Sequence, residues 1–464
     1  MRCAPLDRAR GSDVRARREV SAGRFRRCSL RCAAGVAARS AGCATGDQDT
    51  GAAAAAAAAP RALSYDWHAQ WYALAVVDDL DAARPHRAKL LGEELVLWKD
   101  GRGAWRCFQD ACPHRLAPLS EGRVEADGTL LCSYHAWRFD GSGSCTAVPQ
   151  AEPQAEQAAA AHPRACVKSH PTAEWEGVVF VWGKHGGADE HLRAANTPLP
   201  VSPELRTGGR GARVAWTRRA LPYGYEVWLE NALDAAHVVC AHHGIAGDRY
   251  NDPRAFKLRQ LHASGAPLAE GLRYAVEPAE PQEEVLYEFV PPSLARIVLR
   301  PKGGASIVLH LYISPTSEGR ATSIGTTIVV PPDSGGSMSL GSVDGLARFA
   351  SSSVPAWALH IFGSRFLHQD LALLVGQQAA LRRSTARDGA KWAKACYIPT
   401  PTDRASADVR AWIERAGGVP IAPPAYAADA SHAAPPSLSD RRAMFDVWAS
   451  HTKVRQGVEL LLRF

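Results

Sequence analysis

Hydrophobic and polar positions along the chain divide it into two regions of different texture. Between residue 67 and about residue 182, short apolar runs rich in β-branched and aromatic residues are separated by glycine, proline and aspartate. This alternation of short runs and turn residues predicts an antiparallel sandwich or small barrel. The runs that carry the prediction are residues 71–77, 95–98, 104–108, 130–132 and 177–182.

From about residue 214 onwards, helical and strand patterns are mixed. Helical periodicity marks residues 225–242, 343–349, 366–383 and 405–416, and strand patterns mark residues 283–289, 295–299, 306–313 and 323–330. We therefore expect an α+β domain with an antiparallel sheet in this region. Two stretches interrupt the pattern: residues 150–162 predict an exposed insertion, and residues 186–213 predict a linker rich in proline and glycine.

The net charge of the chain is concentrated at its N terminus. The 464 residues include 54 Lys plus Arg and 47 Asp plus Glu, a net charge of +7 that would suit a nucleic-acid or membrane-surface partner. Residues 1–46 contain eleven arginines and three acidic residues, a net charge of +8, so the remainder carries about −1. The bulk of the protein is thus not basic, and we expect no nucleic-acid partner.

The first 60 residues have the composition of a targeting segment. They are rich in arginine and poor in acids, and an eight-alanine run over residues 52–59 ends at Pro60. Organelle transit peptides have this composition, whereas the apolar core of a secretory signal is missing. The alternative is a disordered extension without a targeting role. We expect import into a chloroplast or mitochondrion and exclude residues 1–60 from the fold.

The cysteine pattern favours metal chemistry over disulfides. Four of the eleven cysteines lie in the first 60 residues, and the other seven are widely scattered. An odd, scattered set does not form a disulfide framework and suits a reducing compartment in which thiolates are available for metal. The seven are Cys107, Cys112, Cys132, Cys145, Cys166, Cys240 and Cys396.

Two short Cys/His pairs are the strongest chemical signal. Cys112-Pro-His114 is followed, after seventeen residues, by Cys132-Ser-Tyr-His135. A Rieske [2Fe–2S] centre needs two thiolates on one iron and two imidazoles on the other. The competing interpretations are a structural zinc site and a chance coincidence on two hairpin tips. Zinc sites usually pair Cys with Cys and His with His, so one residue of each type per loop favours the Rieske cluster.

The sequence around these pairs resembles the plant and algal Rieske oxygenases related to pheophorbide a oxygenase. The similarity rests on residues 112–123, 132–137, 139–145 and 148–150. Ala117 and Tyr134 stand where respiratory Rieske proteins carry an extra cysteine pair. The resemblance extends over about residues 65–458. It implies an all-β Rieske domain over residues 61–185, a linker over 186–213 and a helix-grip-like α+β catalytic domain over 214–464.

This family resemblance implies a second centre, a mononuclear non-haem iron held by two histidines and one carboxylate. Residues 230–243 match the family pattern Asn-x₂-Asp-x₂-His-x₄-His, which implies His237 and His242 as ligands and leaves His243 as a rival. His242 lies about 140° from His237 on an ideal helix, so the helix must bulge or end there. Histidines of a buried helix that make ordinary hydrogen bonds are the alternative.

The third ligand and one further role follow from the same resemblance. Residues 366–378 are similar to the family segment in which an aspartate completes the triad, which implies Asp370. His368 is the rival ligand, and Asp370 could instead cap a helix. In this family Asp234 would bridge a cluster histidine of one subunit to an iron histidine of its neighbour. That role predicts a homotrimer.

The family further implies electron delivery from reduced ferredoxin and O₂ activation in the chloroplast, in the stroma or peripherally on the envelope or thylakoid. The expected substrate is a chlorophyll-derived tetrapyrrole, foremost pheophorbide a with opening of its macrocycle. Alternatives are protochlorophyllide, chlorophyllide or phyllobilin oxidation, a non-pigment substrate such as a quaternary amine, and a non-catalytic redox or import-accessory role. No apolar run reaches the roughly 20 residues of a membrane-spanning helix, so membrane association would be peripheral.

Overall fold

The computed structural model describes residues 65–206, 209–277, 283–302, 304–332, 356–389, 391–421 and Phe445. The predicted targeting segment 1–60 and the predicted helix 343–349 lie outside these residues. The first half of the described chain contains strands β1 to β11: Trp71–Val76, His86–Leu90, Glu93–Lys99, Trp105–Gln109, Arg123–Val124, Leu130–Leu131, Arg138–Phe139, Cys145–Ala147, Ser169–His170, Thr172–Trp175 and Val178–Trp182. It also contains helices α1 and α2: Glu156–Ala161 and Ala188–Ala195.

The second half contains strands β12 to β19: Ala212–Arg213, Thr217–Leu221, Lys257–Gln260, Leu272–Glu277, Glu283–Val290, Leu294–Pro301, Ser306–Ser317 and Arg320–Val330. Its helices α3 to α7 are Tyr225–Ala232, His237–Ala241, Ala356–Asp388, Trp392–Ala395 and Arg404–Arg415. Short 3₁₀ turns occur at Val77–Asp79, Leu119–Glu121, Pro163–Ala165, Pro203–Leu205, Leu268–Glu270 and Pro401–Asp403. No helix of the described chain is both long and apolar enough to cross a bilayer.

The first half is built from three small antiparallel sheets, as its short apolar runs predict. Their strand orders are β1-β11-β10, β2-β3-β4-β9 and β5-β6-β7-β8. Large side chains fill the spaces under them, and Trp98, Phe108 and Phe139 are fully buried. Helix α1 lies in the predicted exposed insertion and has no buried residue. The all-β character expected for this region is confirmed.

The second half is dominated by one eight-stranded antiparallel sheet. Its order is β12-β19-β18-β17-β16-β15-β14, and β13 also pairs with β19. Neighbouring residues along its strands contribute to different apolar clusters: Ile297 packs with the helices, whereas Val298 packs with Leu286 and Ile328. This division follows from the two-residue period of a strand, which sends successive side chains to opposite faces. The expected α+β fold with an antiparallel sheet is confirmed.

Helices α3, α5 and α7 pack on one face of this sheet. Leu229 of α3, Leu374 of α5 and Trp412 of α7 share one buried cluster with sheet residues. The ring of Trp412 meets that of Phe289 edge-on, with centroids 4.9 Å apart. Helix α5 is longer than the predicted helix 366–383, and it carries the residues that matter most for the site described below.

The predicted single helix 225–242 is wrong, because the first helix ends at Ala232 and a second one follows. Leu233 ends α3, and α4 begins at His237. Between them the carboxylate of Asp234 accepts a hydrogen bond from the backbone N–H of Ala236 at 2.8 Å. Such a local side-chain bond offers the backbone an alternative to helical hydrogen bonding, and this explains the break.

Strand β1 connects the two halves. The hydroxyl of Ser314 donates to the carbonyl of Ala73 at 2.7 Å, and the backbone N–H of Leu91 donates to the carbonyl of Pro315 at 2.8 Å. Trp71 and Trp182 also pack with Tyr312 of the large sheet. The small sheets are therefore docked on the large sheet by both hydrogen bonds and apolar contacts.

Candidate metal centres

The two Cys/His loops share one backbone design. In the first loop the N–H of Cys112 donates to the carbonyl of Ala117 at 2.8 Å, and in the second the N–H of Cys132 donates to that of Trp137 at 2.9 Å. In each loop the fourth residue after the cysteine donates back to the carbonyl of that cysteine. These residues, Leu116 and Ala136, have positive φ values of 59° and 57°. The left-handed conformation closes each loop tightly and presents one cysteine and one histidine.

The two loops bring their ligand candidates together. Cys112 and Cys132 are both 2 % exposed. The imidazole rings of His114 and His135 have centroids 4.5 Å apart, and the ring of Trp137 stacks on His114 at 4.7 Å and 6°. Two adjacent thiols with two adjacent imidazoles form the donor set that a Rieske cluster requires.

These four residues fit a two-iron cluster better than a single zinc ion. All four lie in the described chain, yet no three of them bring their ligand atoms within 4.8 Å of one another. One zinc ion with ligands at about 2.0–2.3 Å would require such a group. The buried Nδ1 atom of His114 has no hydrogen-bond partner, as expected for a nitrogen that serves as a metal ligand. Burial, followed by the nearby thiols, raises the pKa of Cys112 to about 12, so a bound metal is what would hold it as a thiolate.

The second centre forms where α4, its C-terminal cap and α5 meet. Nε2 of His242 lies 3.2 Å and Nε2 of His237 lies 3.8 Å from the same oxygen, Oδ2 of Asp370. Within the described chain these three residues are the one group of histidine, cysteine or acidic side chains whose ligand atoms all lie within 4.8 Å. Three ligands at about 2.1 Å from one ion lie roughly 3–4 Å apart, so the three fit a facial triad.

The end of α4 allows both histidines to face one ion. The helix ends at Ala241, and His242 adopts φ −93° and ψ 37°, outside the helical region. The ring centroids of His237 and His242 are 5.3 Å apart. The prediction that the helix must bulge or end at this point is confirmed.

The backbone of Asp234 determines which nitrogen of His237 faces the metal. Nδ1 of His237 lies 2.6 Å from the carbonyl oxygen of Asp234. A carbonyl only accepts, so Nδ1 carries the proton and Nε2 presents its lone pair towards Asp370. The Asp234 carboxylate lies 3.8 Å from the same Nδ1, and burial raises its pKa. Asp234 thus supports a candidate iron ligand through an outer hydrogen bond.

His242 is enclosed more tightly than its partner. It is 1 % exposed, and the ring of Phe366 stacks on it at 3.5 Å and 18°. Its buried Nδ1 atom has no hydrogen-bond partner. Phe366 was not among the predicted site residues, because an aromatic residue in a helix reads as ordinary core.

The two alternative ligands, His243 and His368, do not belong to this group. Nδ1 of His243 accepts a hydrogen bond from the backbone N–H of Arg249 at 3.1 Å and lies 3.5 Å from Asp248. His368 packs edge-on against Phe445 at 5.3 Å, and burial lowers its pKa. Asp370 lies within α5 rather than at its end, so it is not a helix cap.

Two consecutive glutamines fix α5 against the helix that precedes the break. Gln378 accepts from the N–H of Gly224 at 2.6 Å and donates to the carbonyl of Gly319 at 3.2 Å. Gln377 donates at 3.0 Å to Glu230, which also pairs with Arg410. We call the two hydrogen bonds of Gln378 a clamp. Sequence reasoning missed it, although two polar residues in an otherwise apolar helix segment could have indicated such a contact.

Two arginines near the cluster loops, Arg123 and Arg138, are neutralised by acidic neighbours. Arg138 pairs with Asp127 at 3.0 Å and with Glu125 at 3.6 Å, and Arg123 lies 3.8 Å from Glu125. Exposed Leu116 and Tyr134 flank the two candidate histidines instead. The surface beside the cluster loops is therefore more apolar than its arginines suggest.

Comparison with family models agrees with both centres. Residues 70–171 match the Rieske [2Fe–2S] domain, and residues 289–388 match the pheophorbide a oxygenase domain. The first range includes both Cys/His loops, and the second includes Asp370. The cofactors of this chain are therefore a Rieske [2Fe–2S] cluster and a mononuclear non-haem iron.

Several proteins similar to this chain are chloroplast proteins. The chain is 32 % identical to pheophorbide a oxygenase of Oryza sativa subsp. japonica, over 83 % of this chain and 71 % of that protein. It is also 32 % identical to flavonoid 8-hydroxylase 2 of Ocimum basilicum, over 84 % and 72 %. Both names carry the label chloroplastic, and this confirms the expected chloroplast localisation.

Solved structures show the same fold at lower identity. Dicamba monooxygenase bound to dicamba matches with a TM-score of 0.55 and 19 % identity over 76 % of this chain and 98 % of that one. NdmA of Pseudomonas putida CBB5 with caffeine matches with a TM-score of 0.55 and 18 % identity, over 76 % and 93 %. These structures show the fold, and the sequence relatives establish the family. The chain belongs to the pheophorbide a oxygenase-like family of Rieske non-haem iron oxygenases.

Proposed function

We propose that this chain oxidises a chlorophyll-derived tetrapyrrole, foremost pheophorbide a, with opening of its macrocycle. The observation that carries the proposal is the complete group of His237, His242 and Asp370 in a chain that also carries both Cys/His loops. The pheophorbide a oxygenases among its relatives support the substrate class. Reduced ferredoxin is the proposed electron donor, and O₂ is the co-substrate.

The residues divide between the two centres as follows. Cys112, Cys132, His114 and His135 would hold the cluster, and His237, His242 and Asp370 would hold the mononuclear iron. When bound, the cluster supplies single electrons and the mononuclear iron supplies O₂ activation. The part of the protein is to hold the ligand geometry, to orient the histidines and to keep water away.

Three contacts of the chain perform these tasks. The carbonyl of Asp234 keeps the proton of His237 on Nδ1, at 2.6 Å. The ring of Phe366 covers one face of His242 and excludes water from it. Gln378 binds α5 to the start of α3, which keeps Asp370 at its distance from the two histidines.

The carboxylate of Asp234 is proposed to have a second role in a homotrimer. It would bridge a cluster histidine of a neighbouring subunit to His237. Its 3.8 Å separation from Nδ1 of His237 supports the near half of that bridge. Exposed Leu116 and Tyr134 beside the cluster histidines suit a face that a second subunit covers. A Rieske domain over residues 61–185 and a catalytic domain over 214–464, joined by a linker over 186–213, complete this proposal.

A second candidate function is hydroxylation of a flavonoid. The flavonoid 8-hydroxylase relative has the same 32 % identity as the first pheophorbide a oxygenase and nearly the same coverage. A redox or import-accessory role is favoured less, because a protein that only carried the cluster would have no use for the assembled group around Asp370.

The test is oxygenation in vitro. The holoenzyme is incubated with reduced ferredoxin and ¹⁸O₂, separately with pheophorbide a, chlorophyllide a, protochlorophyllide and a flavone, and products are analysed by mass spectrometry. The proposal expects label in an opened macrocycle from pheophorbide a. Label in the flavone alone would establish the second candidate, and no labelled tetrapyrrole would overturn the first.

A further inference from the structure

A buried arginine lies beside the candidate iron site without an acidic partner. Arg219 is the central residue of β13 and is 7 % exposed. Its guanidinium donates to the hydroxyl of Ser364, and no carboxylate pairs with it in the described chain. Burial lowers its pKa to about 10, and the nearby Tyr223 offsets only part of this effect. Buried charges in folded proteins are normally paired, so this one requires an explanation.

Arg219 contacts the helix that carries Asp370, one of the proposed iron ligands. Ser364 belongs to α5 and precedes Asp370 by six residues, which corresponds to about 9 Å along the helix axis. Tyr223 is buried close to both charges: burial raises its pKa, the charge of Asp370 raises it further and that of Arg219 lowers it. Arg219 and Asp370 therefore both lie near the buried ring of Tyr223.

We propose that Arg219 binds a carboxylate of the substrate. The serine hydroxyl occupies only part of a guanidinium that has five N–H donors, and a carboxylate fits the remainder in a bidentate pair. This inference rests on the proposed function: a chlorophyll derivative without its phytol chain carries a free propionate at the rim of the macrocycle. Arg219 then determines specificity by selecting the free acid over its ester.

The competing explanation is that Arg219 only ties β13 to α5 through Ser364. The two explanations differ in what they predict for the ligand. A purely structural arginine affects folding and affects the binding of acid and ester equally. A carboxylate-binding arginine affects the acid alone.

The experiment measures equilibrium binding, so it does not depend on turnover. Quenching of pigment fluorescence is titrated with pheophorbide a and with its propionate methyl ester, using the full chain loaded with cluster and iron. The proteins are the native one, Arg219→Gln, Arg219→Lys, Ser364→Ala and the matched control Arg218→Gln, whose arginine precedes Arg219 in the strand and points to the opposite face. Far-ultraviolet circular dichroism and the content of mononuclear iron report whether each variant is folded.

The expected result is a preference of the native protein for the acid by about 10- to 100-fold, as a lost charged hydrogen bond would give. Arg219→Gln abolishes the preference by weakening acid binding alone. Arg219→Lys retains part of it, because a point charge cannot form the bidentate pair. Ser364→Ala and Arg218→Gln retain it fully.

Each other outcome is decisive. An acid preference that survives in Arg219→Gln, or no preference in the native protein, overturns the inference and leaves the proposed substrate class intact. If neither pigment binds the native protein, the proposed function fails and the inference fails with it. Where Arg219→Gln fails to fold by these two measures, Arg219→Lys decides, and an undiminished preference in that variant overturns the inference.

Discussion

The two metal centres are assembled in different ways. The four proposed cluster ligands lie within residues 112–135, on two loops with the same hydrogen-bond pattern and a positive-φ residue at the same position. The proposed iron ligands His237 and His242 are near in sequence, but the third, Asp370, comes from a helix more than a hundred residues later. One centre is thus a local structure, whereas the other exists only when distant elements pack together.

This difference also appears in what supports each centre. Backbone hydrogen bonds close the cluster loops, and they depend little on side chains elsewhere. At the iron site the position of Asp370 depends on buried side-chain contacts such as the clamp made by Gln378. We therefore expect the two centres to be lost separately, and the following predictions test that independence.

The largest effect is expected from Cys132→Ser. Loss of one thiolate removes the cluster, since serine is a poor substitute for a soft ligand. Oxygenation becomes undetectable and the visible and EPR signals of the cluster disappear, while the mononuclear iron is retained. Cys166→Ser, which alters an exposed cysteine, serves as the control and should keep both centres. Loss of all iron in Cys132→Ser would show that the centres are not independent.

Asp370→Ala tests whether the cluster persists when the mononuclear iron is lost. It should remove the mononuclear iron and reduce oxygenation more than about 100-fold, because even outer contacts of metal sites are worth about 10- to 100-fold. The cluster signals remain. The control Asp388→Ala changes the last residue of the same helix and should be silent. Unchanged iron content in Asp370→Ala, measured by metal analysis, would favour a non-catalytic role.

Asp234→Asn should have an intermediate effect. The backbone carbonyl that holds His237 is kept, so the iron stays bound, whereas loss of the carboxylate lowers oxygenation about 10- to 100-fold. The partly exposed Asp248, which lies near His243, provides the control substitution Asp248→Asn. Iron loss as complete as in Asp370→Ala would mean that the side chain, and not the carbonyl, supports His237.

The smallest effect concerns stability and pH. Burial lowers the pKa of His170 in the small sheets to about 4 and that of His310 in the large sheet to about 3. The unfolded chain binds these protons near pH 6.5 and the native chain does not, so each histidine costs stability as the pH falls below 6.5. Between pH 6.5 and 5 the loss is up to about 2 kcal/mol per histidine.

Urea unfolding at pH 7.5 and 5.0 measures this loss in the native protein, His170→Gln and His310→Gln. If the two regions unfold separately, His170→Gln reduces the pH dependence of stability that is measured by the absorbance of the cluster. In that case His310→Gln reduces only the pH dependence of stability that is measured by the far-ultraviolet signal of the large sheet. Equal flattening of both signals by either variant would show one cooperative unit.

Sequence reasoning succeeded where the signal is local and failed where it is not. The Cys/His pairs, the strand runs and the position of Asp370 could all be anticipated from pattern and resemblance. The break between α3 and α4 could not, because the helical periodicity continues through Asp234 and a single side-chain hydrogen bond interrupts it. Phe366, Gln378 and Arg219 were missed, since their roles depend on partners far away in the chain.

The sequence alone determined the family, the two kinds of metal centre and the residues of the cluster loops. It could do so because each loop carries its ligands and its turn residues within a few positions. Only the tertiary structure decided that His242 leaves the helix, that Asp370 approaches both histidines, and that the buried Arg219 contacts Ser364 of the same helix. Those facts depend on how α5 packs against α3, α4 and β13. Local sequence patterns do not predict packing between distant segments.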